Sequence, residues 1–234
     1  STMKSTNRMS AALALAMAFA ATSAIAQVKV GVIASTTGPT AVVGIPQKNS
    51  VALLPKKIGD LTVEYIVLDD ASDPTQSVMN VKKLLAEQKI DALIGPSGSP
   101  NAVGVVQFMA ESGTPMLAPV GTTAVVLPMD DKKRWVFKTT QNDALISDAL
   151  IAHMQKTGVK TVGFIGFNDP YGENWYNVFN AQAQKAGIKL VASERYLRSD
   201  GSVTGQVAKL MAAKPDAVLV AAAGGPTVLP HTTL

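Results

Sequence analysis

Three short segments carry the residues of this chain that could do chemistry. They are Ser35-Thr36-Thr37-Gly38-Pro39-Thr40, Gly95-Pro96-Ser97-Gly98-Ser99-Pro100-Asn101 and Ala118-Pro119-Val120-Gly121-Thr122-Thr123. Each combines hydroxyl side chains with small residues that leave backbone amides uncovered, and the second runs into a helix start. Hydroxyls, free amides and a positive helix end suit a small anion such as a carboxylate. Each charge-assisted hydrogen bond there contributes about 1.5–3 kcal/mol, so two or three would anchor a ligand. The same residues also read as plain structure, with Ser99 an N-cap and the threonines turn formers. A fourth segment, Phe167-Asn168-Asp169-Pro170-Tyr171-Gly172-Glu173, reads as a loop that presents Tyr171 for stacking or hydrogen bonding, or simply for packing. Trp175 and Tyr176 are assigned to core or surface cover.

Reaction chemistry has little support. The two histidines, His153 and His231, are not spaced with carboxylates as a metal site requires, and the chain holds no cysteine. There is no G-x-S-x-G, G-x-x-x-x-G-K-[ST] or first-strand G-x-G-x-x-G. Asp69-Asp70 could serve as a catalytic carboxylate pair, but without a base, acid or metal partner it reads better as a strand end that helps cap the next helix. The expectation is a binding protein without cofactor or metal, not an enzyme.

The elements that must position these loops alternate. β-branched runs at Val28-Ala34, Leu61-Leu68, Ala92-Ile94, Pro115-Pro119, Val136-Thr139, Thr161-Gly166, Lys189-Glu194 and Ala217-Ala221 predict strands, with helices in most of the gaps. Helices are expected over Pro74-Gln88 (Asp73 N-cap, Pro74 at N1, inward stripe Val78, Val81, Leu84, Leu85), Pro100-Ser112 with Ser99 as cap, Asn142-Thr157, Glu173-Ala186 and Val203-Ala213. For Asn142-Thr157 the inward stripe is read as Leu145, Ala149, Ile151 or Ala152, and Met154. This βα alternation implies an α/β fold with mostly parallel sheets and functional loops at the strands' carboxyl ends. The best place for a domain change is Thr139 to Asp143.

With 47% hydrophobic and 16% charged residues the 234-residue chain has ample core material, which excludes a disordered tail. Residues 1–26 read as a cleavable signal peptide: basic Lys4 and Arg8, an apolar stretch from Ala11 to Ala21 too short for the roughly 20 residues of a membrane span, and an Ala24-Ile25-Ala26 cleavage site. Removing Lys4 and Arg8 lowers the basic count from 21 to 19 against 17 acidic residues, a net +2 that points to no nucleic acid or membrane surface. Without a cysteine for lipid attachment, the expected product is a periplasmic, non-lipoprotein protein.

In order along the chain, Ser35-x-Thr37-Gly38-Pro39, Asp69-Asp70-Ala71-Ser72-Asp73-Pro74, Ile94-Gly95-Pro96, Trp135-Val136-Phe137-Lys138-Thr139-Thr140 and Asp169-Pro170-Tyr171-Gly172 resemble the type I periplasmic solute-binding proteins. The nearest branch is the Leu/Ile/Val-binding group of branched-chain amino acid ABC transporters. The resemblance implies two doubly wound, mostly parallel α/β lobes (27–140 and a partial second lobe, 141–234) that close on ligand by hinge motion. It implies that Ser99 holds the ligand carboxylate, that the Val120 backbone, Gly121 and Thr122 complete the cradle, and that the second lobe contributes Tyr171. Asn101 belongs to the same ligand-facing segment as Ser99. Val43 stands where relatives place an aromatic wall, so a wider pocket is expected, and Gly224 belongs to another inter-lobe loop. Implied partners are a small carboxylate-bearing solute, a branched-chain amino acid or a related organic or aromatic acid, and an ABC permease, the binding protein being a monomer. Family members continue well past the position of Leu234, so the chain reads as truncated, its Ala217-Ala221 edge is expected to be exposed, and the fragment is expected to close on ligand poorly. The competing readings are a ligand-sensing domain of a receptor or regulator and an exported α/β enzyme.

Overall fold

The computed structural model describes residues 27–234, so the signal peptide read at 1–26 lies outside the described residues. Two parallel sheets follow one another along the chain. The first contains β1 (Gln27–Ala34), β2 (Lys57–Ile58), β3 (Leu61–Asp69), β4 (Ala92–Ile94), β5 (Met116–Ala118) and β6 (Val136–Lys138), in the order β2-β3-β1-β4-β5-β6. Only the β2–β3 hairpin is antiparallel. The two-residue β2, which the periodicity does not predict, is too short to leave a pattern.

Helices α1 (Ala41–Ser50), α2 (Pro74–Lys83) and α3 (Ser99–Ser112) connect these strands. Asp73 caps α2 as its sequence demands, accepting from the Thr75 amide at 2.8 Å, with Pro74 at the first position. A π-helical turn, Leu84–Gln88, extends it and ends at left-handed Lys89. The expected stripe packs inward, with Val81 and Leu84 fully buried. The α3 cap differs from expectation: Gly98 is the N-cap and makes no side-chain cap bond, while Ser99 is the first helical residue. Its hydroxyl is thereby free of capping duty.

The strand register separates two faces. Leu93, Met116 and Val136 lie side by side and, with Ile33 and Ala118, meet Val81, Leu84, Val105 and Met109 of α2 and α3. On the opposite face Ile94, Leu117 and Phe137 are aligned, and Phe137 remains 56% exposed. Among the described residues α1 and the residues after it lie against that face, lining with Val32, Ile94 and Pro119 an apolar cavity of about 160 Å³.

The second sheet contains β7 (Thr161–Phe167), β8 (Lys189–Tyr196) and β9 (Ala217–Ala221) in the order β8-β7-β9, all parallel, with β9 at an edge. Helices α4 (Asp143–Lys156) and α5 (Pro170–Lys185) cover one face and α6 (Thr204–Ala212) the other; the short α7 (Val228–Thr233) closes the chain. Alternation along β7 assigns the faces, Val162 and Phe164 toward α4 and α5, Ile165 and Phe167 toward α6. Fully burying each of these phenylalanines contributes about 1.5–3 kcal/mol.

Two helix readings need correction. Leu145 is 67% exposed and Ala149 is also exposed; the inward stripe of α4 is Asp143, Ser147, Ile151 and Met154, backed by Ile146 and Leu150. Two buried polar residues hold the 3.6-residue phase that the apolar count places one step away. The segment around Tyr171 is helix rather than loop. Asp169 caps α5 by accepting from the Tyr171 and Gly172 amides, and Pro170 is its first residue. Gly172 lies so close to the Phe167 carbonyl that any Cβ would collide with it.

Candidate ligand-binding cleft

The loops after β1, β4 and β5 leave the first sheet at its carboxyl edge, and a buried carboxylate braces them from beneath. Asp70, fully buried, accepts from Ser35 Oγ (2.7 Å), Ser77 Oγ (2.7 Å), Asn101 Nδ2 (2.8 Å) and the Ser72 amide (3.0 Å). Four donors compensate the desolvation of the charge. Its neighbour Asp69 gathers the first loop, accepting from the Thr36 amide (2.8 Å), Thr37 Oγ1 (2.7 Å) and the Ala71 amide (2.9 Å). Slight burial pulls the Asp69 pKa up, but the Thr37 hydroxyl and the Ala71 and Thr36 amides outweigh it and hold it below the ordinary value. The Asp pair therefore organises loops, in line with the structural reading.

Asn101 belongs to this bracing layer. It is 1% exposed, and its amide is committed to Asp70 and to Ser77 Oγ (2.8 Å), beneath the rim rather than on it. Its place one turn into α3, beside two buried acceptors, turns its side chain inward.

On the rim itself Ser99 Oγ meets the Thr122 amide at 3.4 Å, and Thr122 Oγ1 accepts from the Ala124 amide at 3.2 Å to start a single 3₁₀ turn, Thr123–Val125. The Val120 carbonyl accepts from Thr140 Oγ1 at 2.7 Å, tying this loop to the strand exit where the chain crosses to the second sheet. Lys138 Nζ binds the Thr140 and Gln141 carbonyls there; burial lowers its pKa, partly opposed by the charge of Asp143.

Tyr171, in the first turn of α5, faces Gly121. A Cβ on Gly121 would lie 2.9 Å from Tyr171 Cε2 and 3.3 Å from Asp143 Oδ1, so only glycine permits this approach. The phenol donates to the Ala222 carbonyl at 3.4 Å, and its pKa is raised by burial and by the charge of Asp143. Ser99 is thus in contact with Thr122, and Gly121 with Tyr171, where the loops of the two sheets meet. Gly224 stands at another edge, at φ +73°, with the Pro39 carbonyl 3.0 Å and Val42 Cγ1 3.4 Å from where a Cβ would be. Val43, in the first turn of α1, is half-buried next to Gly44, which packs on the Ser35 backbone.

Two residues of the cleft escaped the sequence reading. Asp143 is 3% exposed at the start of α4 and accepts from Asn174 Nδ2 at 2.6 Å, while Asn174 Oδ1 accepts from Thr123 Oγ1 at 2.8 Å. Burial raises the Asp143 pKa, against the Asn174 hydrogen bond and the charge of Lys138. Its only sequence signal was its position at a helix start, which reads as capping. Arg198 follows β8; its Nε donates to Asp169 Oδ2 at 2.7 Å and its Nη1 reaches Thr40 Oγ1 at 3.4 Å.

Two parallel α/β units whose loops meet form the architecture of the type I periplasmic binding proteins. The chain belongs to the periplasmic binding protein family, which matches residues 27–230, and its fold is that of the type I members. It is 28% identical over 220 residues to the Leu/Ile/Val-binding protein BraC3 of Rhizobium johnstonii, covering 90% of this chain and 58% of that one. It superposes on an extracellular ligand-binding receptor from Rhodopseudomonas palustris HaA2 with a TM-score of 0.86 at 47% identity, covering 89% of this chain and 58% of the receptor. An ABC transporter solute-binding protein of the same organism, solved with p-hydroxybenzoic acid, shares the fold at 23% identity and a TM-score of 0.79, with 88% and 57% coverage. The chain thus spans somewhat under three fifths of the length of these proteins. Among the described residues no helix is long and apolar enough to cross a membrane.

Proposed function

We propose that this chain is the solute-binding part of an ABC transporter, a non-enzymatic periplasmic monomer that takes a small carboxylate-bearing solute and delivers it to a membrane permease. In this reading the lobes are 27–140 and 141–234, and they close about the crossing at Thr139 to Asp143. The observation that carries it is the grouping of Ser99 Oγ, the Thr122 amide and Thr122 Oγ1 at the start of α3, opposite Tyr171. Hydroxyls and amides at a helix N-terminus hold a carboxylate head, and an aromatic ring from the other side covers its apolar body.

Asp143 adds a polar end. One of its oxygens is taken by Asn174, and the other lies toward Gly121, where a ligand ammonium or hydroxyl would find an acceptor. Branched-chain amino acids and hydroxylated aromatic acids both match that pairing, in agreement with the relatives named for Leu/Ile/Val and with the neighbour solved with p-hydroxybenzoic acid.

A thermal-shift screen of L-leucine, L-isoleucine, L-valine, benzoate and 4-hydroxybenzoate tests the reading, because a solute that binds only the folded state raises the midpoint by mass action. At least one should do so, by a small shift, because the chain is expected to close on ligand poorly. Ser99→Ala should then weaken the hit by about 1–3 kcal/mol; undiminished affinity would remove Ser99 from the site.

A further inference from the structure

The candidate cleft is bordered by a second inter-lobe junction, away from the chain crossing, and it is built around Arg198. The Arg198 side chain is only 13% exposed. Three groups surround it. Asp169 Oδ2 accepts from Nε at 2.7 Å, the Phe167 ring lies 4.3 Å from the guanidinium carbon, and Tyr171 lies 5.9 Å from it. Asp169 is also the N-cap of α5, its other oxygen accepting from the Tyr171 amide at 2.8 Å. The guanidinium and the aromatic residue of the cleft are therefore fixed by one carboxylate.

Across the junction Arg198 Nη1 reaches Thr40 Oγ1 at 3.4 Å, a contact spanning 158 positions of sequence. Thr40 precedes α1, is 3% exposed and gives that helix no side-chain cap, which leaves its hydroxyl available as an acceptor. The loop carrying Gly224 presses on the same place, against Pro39 and Val42, and is held by the Tyr196 hydroxyl donating to the Pro226 carbonyl at 3.0 Å.

We propose that Arg198 is a positioning residue that couples the setting of Tyr171 to contact with the first lobe at Thr40, holding the lobes together before any solute binds. A planar guanidinium suits the task because one edge can serve the carboxylate and another the hydroxyl while its face stacks on the ring. The coupling holds whatever the solute and so goes beyond the transport reading.

The chain contains no cysteine, so Lys48→Cys and Ala208→Cys, both at exposed positions, place two spin labels cleanly, one on each lobe. Pulsed electron resonance on the solute-free protein should give a dominant short distance. Arg198→Met should lower the ratio of short to long distances about tenfold, the order of one charge-assisted hydrogen bond. Thr40→Val, which leaves the Asp169–Arg198 pair and its lobe intact, should shift the distribution in the same direction. Adding Thr40→Val to Arg198→Met should change nothing further, since both remove one contact. An unshifted distribution in Thr40→Val, or additive effects in the double variant, would overturn the proposal. Failure of L-leucine and 4-hydroxybenzoate to sharpen any distribution counts against the transport reading alone.

Discussion

Gly121→Ala is the sharpest perturbation of the cleft because its effect depends on whether the lobes are together. An alanine Cβ would sit 2.9 and 3.2 Å from Tyr171 Cε2 and Cδ2, and 3.3 Å from Asp143 Oδ1. Relaxed carbon contacts lie at about 3.5–4.0 Å, so the ring must retreat by about half an ångström or more. Tyr171 is held at its amide by Asp169 and at its hydroxyl by Ala222, which limits that retreat. Overpacking of this kind costs about 1–3 kcal/mol, but the clash exists only while α5 faces the β5 loop. Solute affinity measured by calorimetry should therefore fall, by at most roughly 150-fold, and because the lobes already meet without solute, part of the cost should appear as a shift of the solute-free protein toward separated lobes. Gly201→Ala, where a Cβ meets nothing within 4 Å, is the control. An affinity for Gly121→Ala equal to that of the control would refute the placement of Tyr171 over Gly121 in the bound state.

Other perturbations separate bracing from binding. Asn101→Ala removes one of four donors to a buried charge and should destabilise the fold by about 2–3 kcal/mol in denaturant titration, with the rank order of solutes unchanged. Asp143 carries a pKa raised above its unfolded value of 3.8, so the folded state holds its proton more tightly and stability falls as pH rises from about 4 through the folded-state value. Asp143→Asn should flatten that slope, visible in melting curves recorded across the acidic range, and should disfavour amine-bearing solutes relative to benzoate. Phe137→Ser, on the uncovered face of the first sheet, should reduce binding of a hydrophobic dye without lowering the melting midpoint, since that ring is 56% exposed.

Local chemistry made much of the fold legible. Val28-Ala34, Ala92-Ile94 and Ala217-Ala221 show the β-branched runs of buried parallel strands, and Asp73-Pro74 announces a helix by its capping geometry. Asp169-Pro170 carries the same signature and caps α5 in the same way, yet as a ligand-facing motif it reads as a loop. Ser99, Val120, Gly121, Thr122 and Tyr171 stand out only through a resemblance carried by ordered motifs; periodicity alone leaves Ser99 and the threonines balanced between ligand and turn.

The amino-acid order by itself determined most of the strands and helices, though not α1, β2 or the start of α5, and that hydroxyl-rich loops end the strands of the first sheet, because hydrophobic period and capping act between residues a few positions apart. Tertiary structure alone decided that Asn101 turns under the rim toward Asp70, that Asp143 and not Leu145 faces inward on α4, and that Arg198 meets Thr40. Those outcomes depend on strand order and on the face each crossover helix covers, and these bring together groups from 31 to 158 positions apart whose identities carry no local trace of one another.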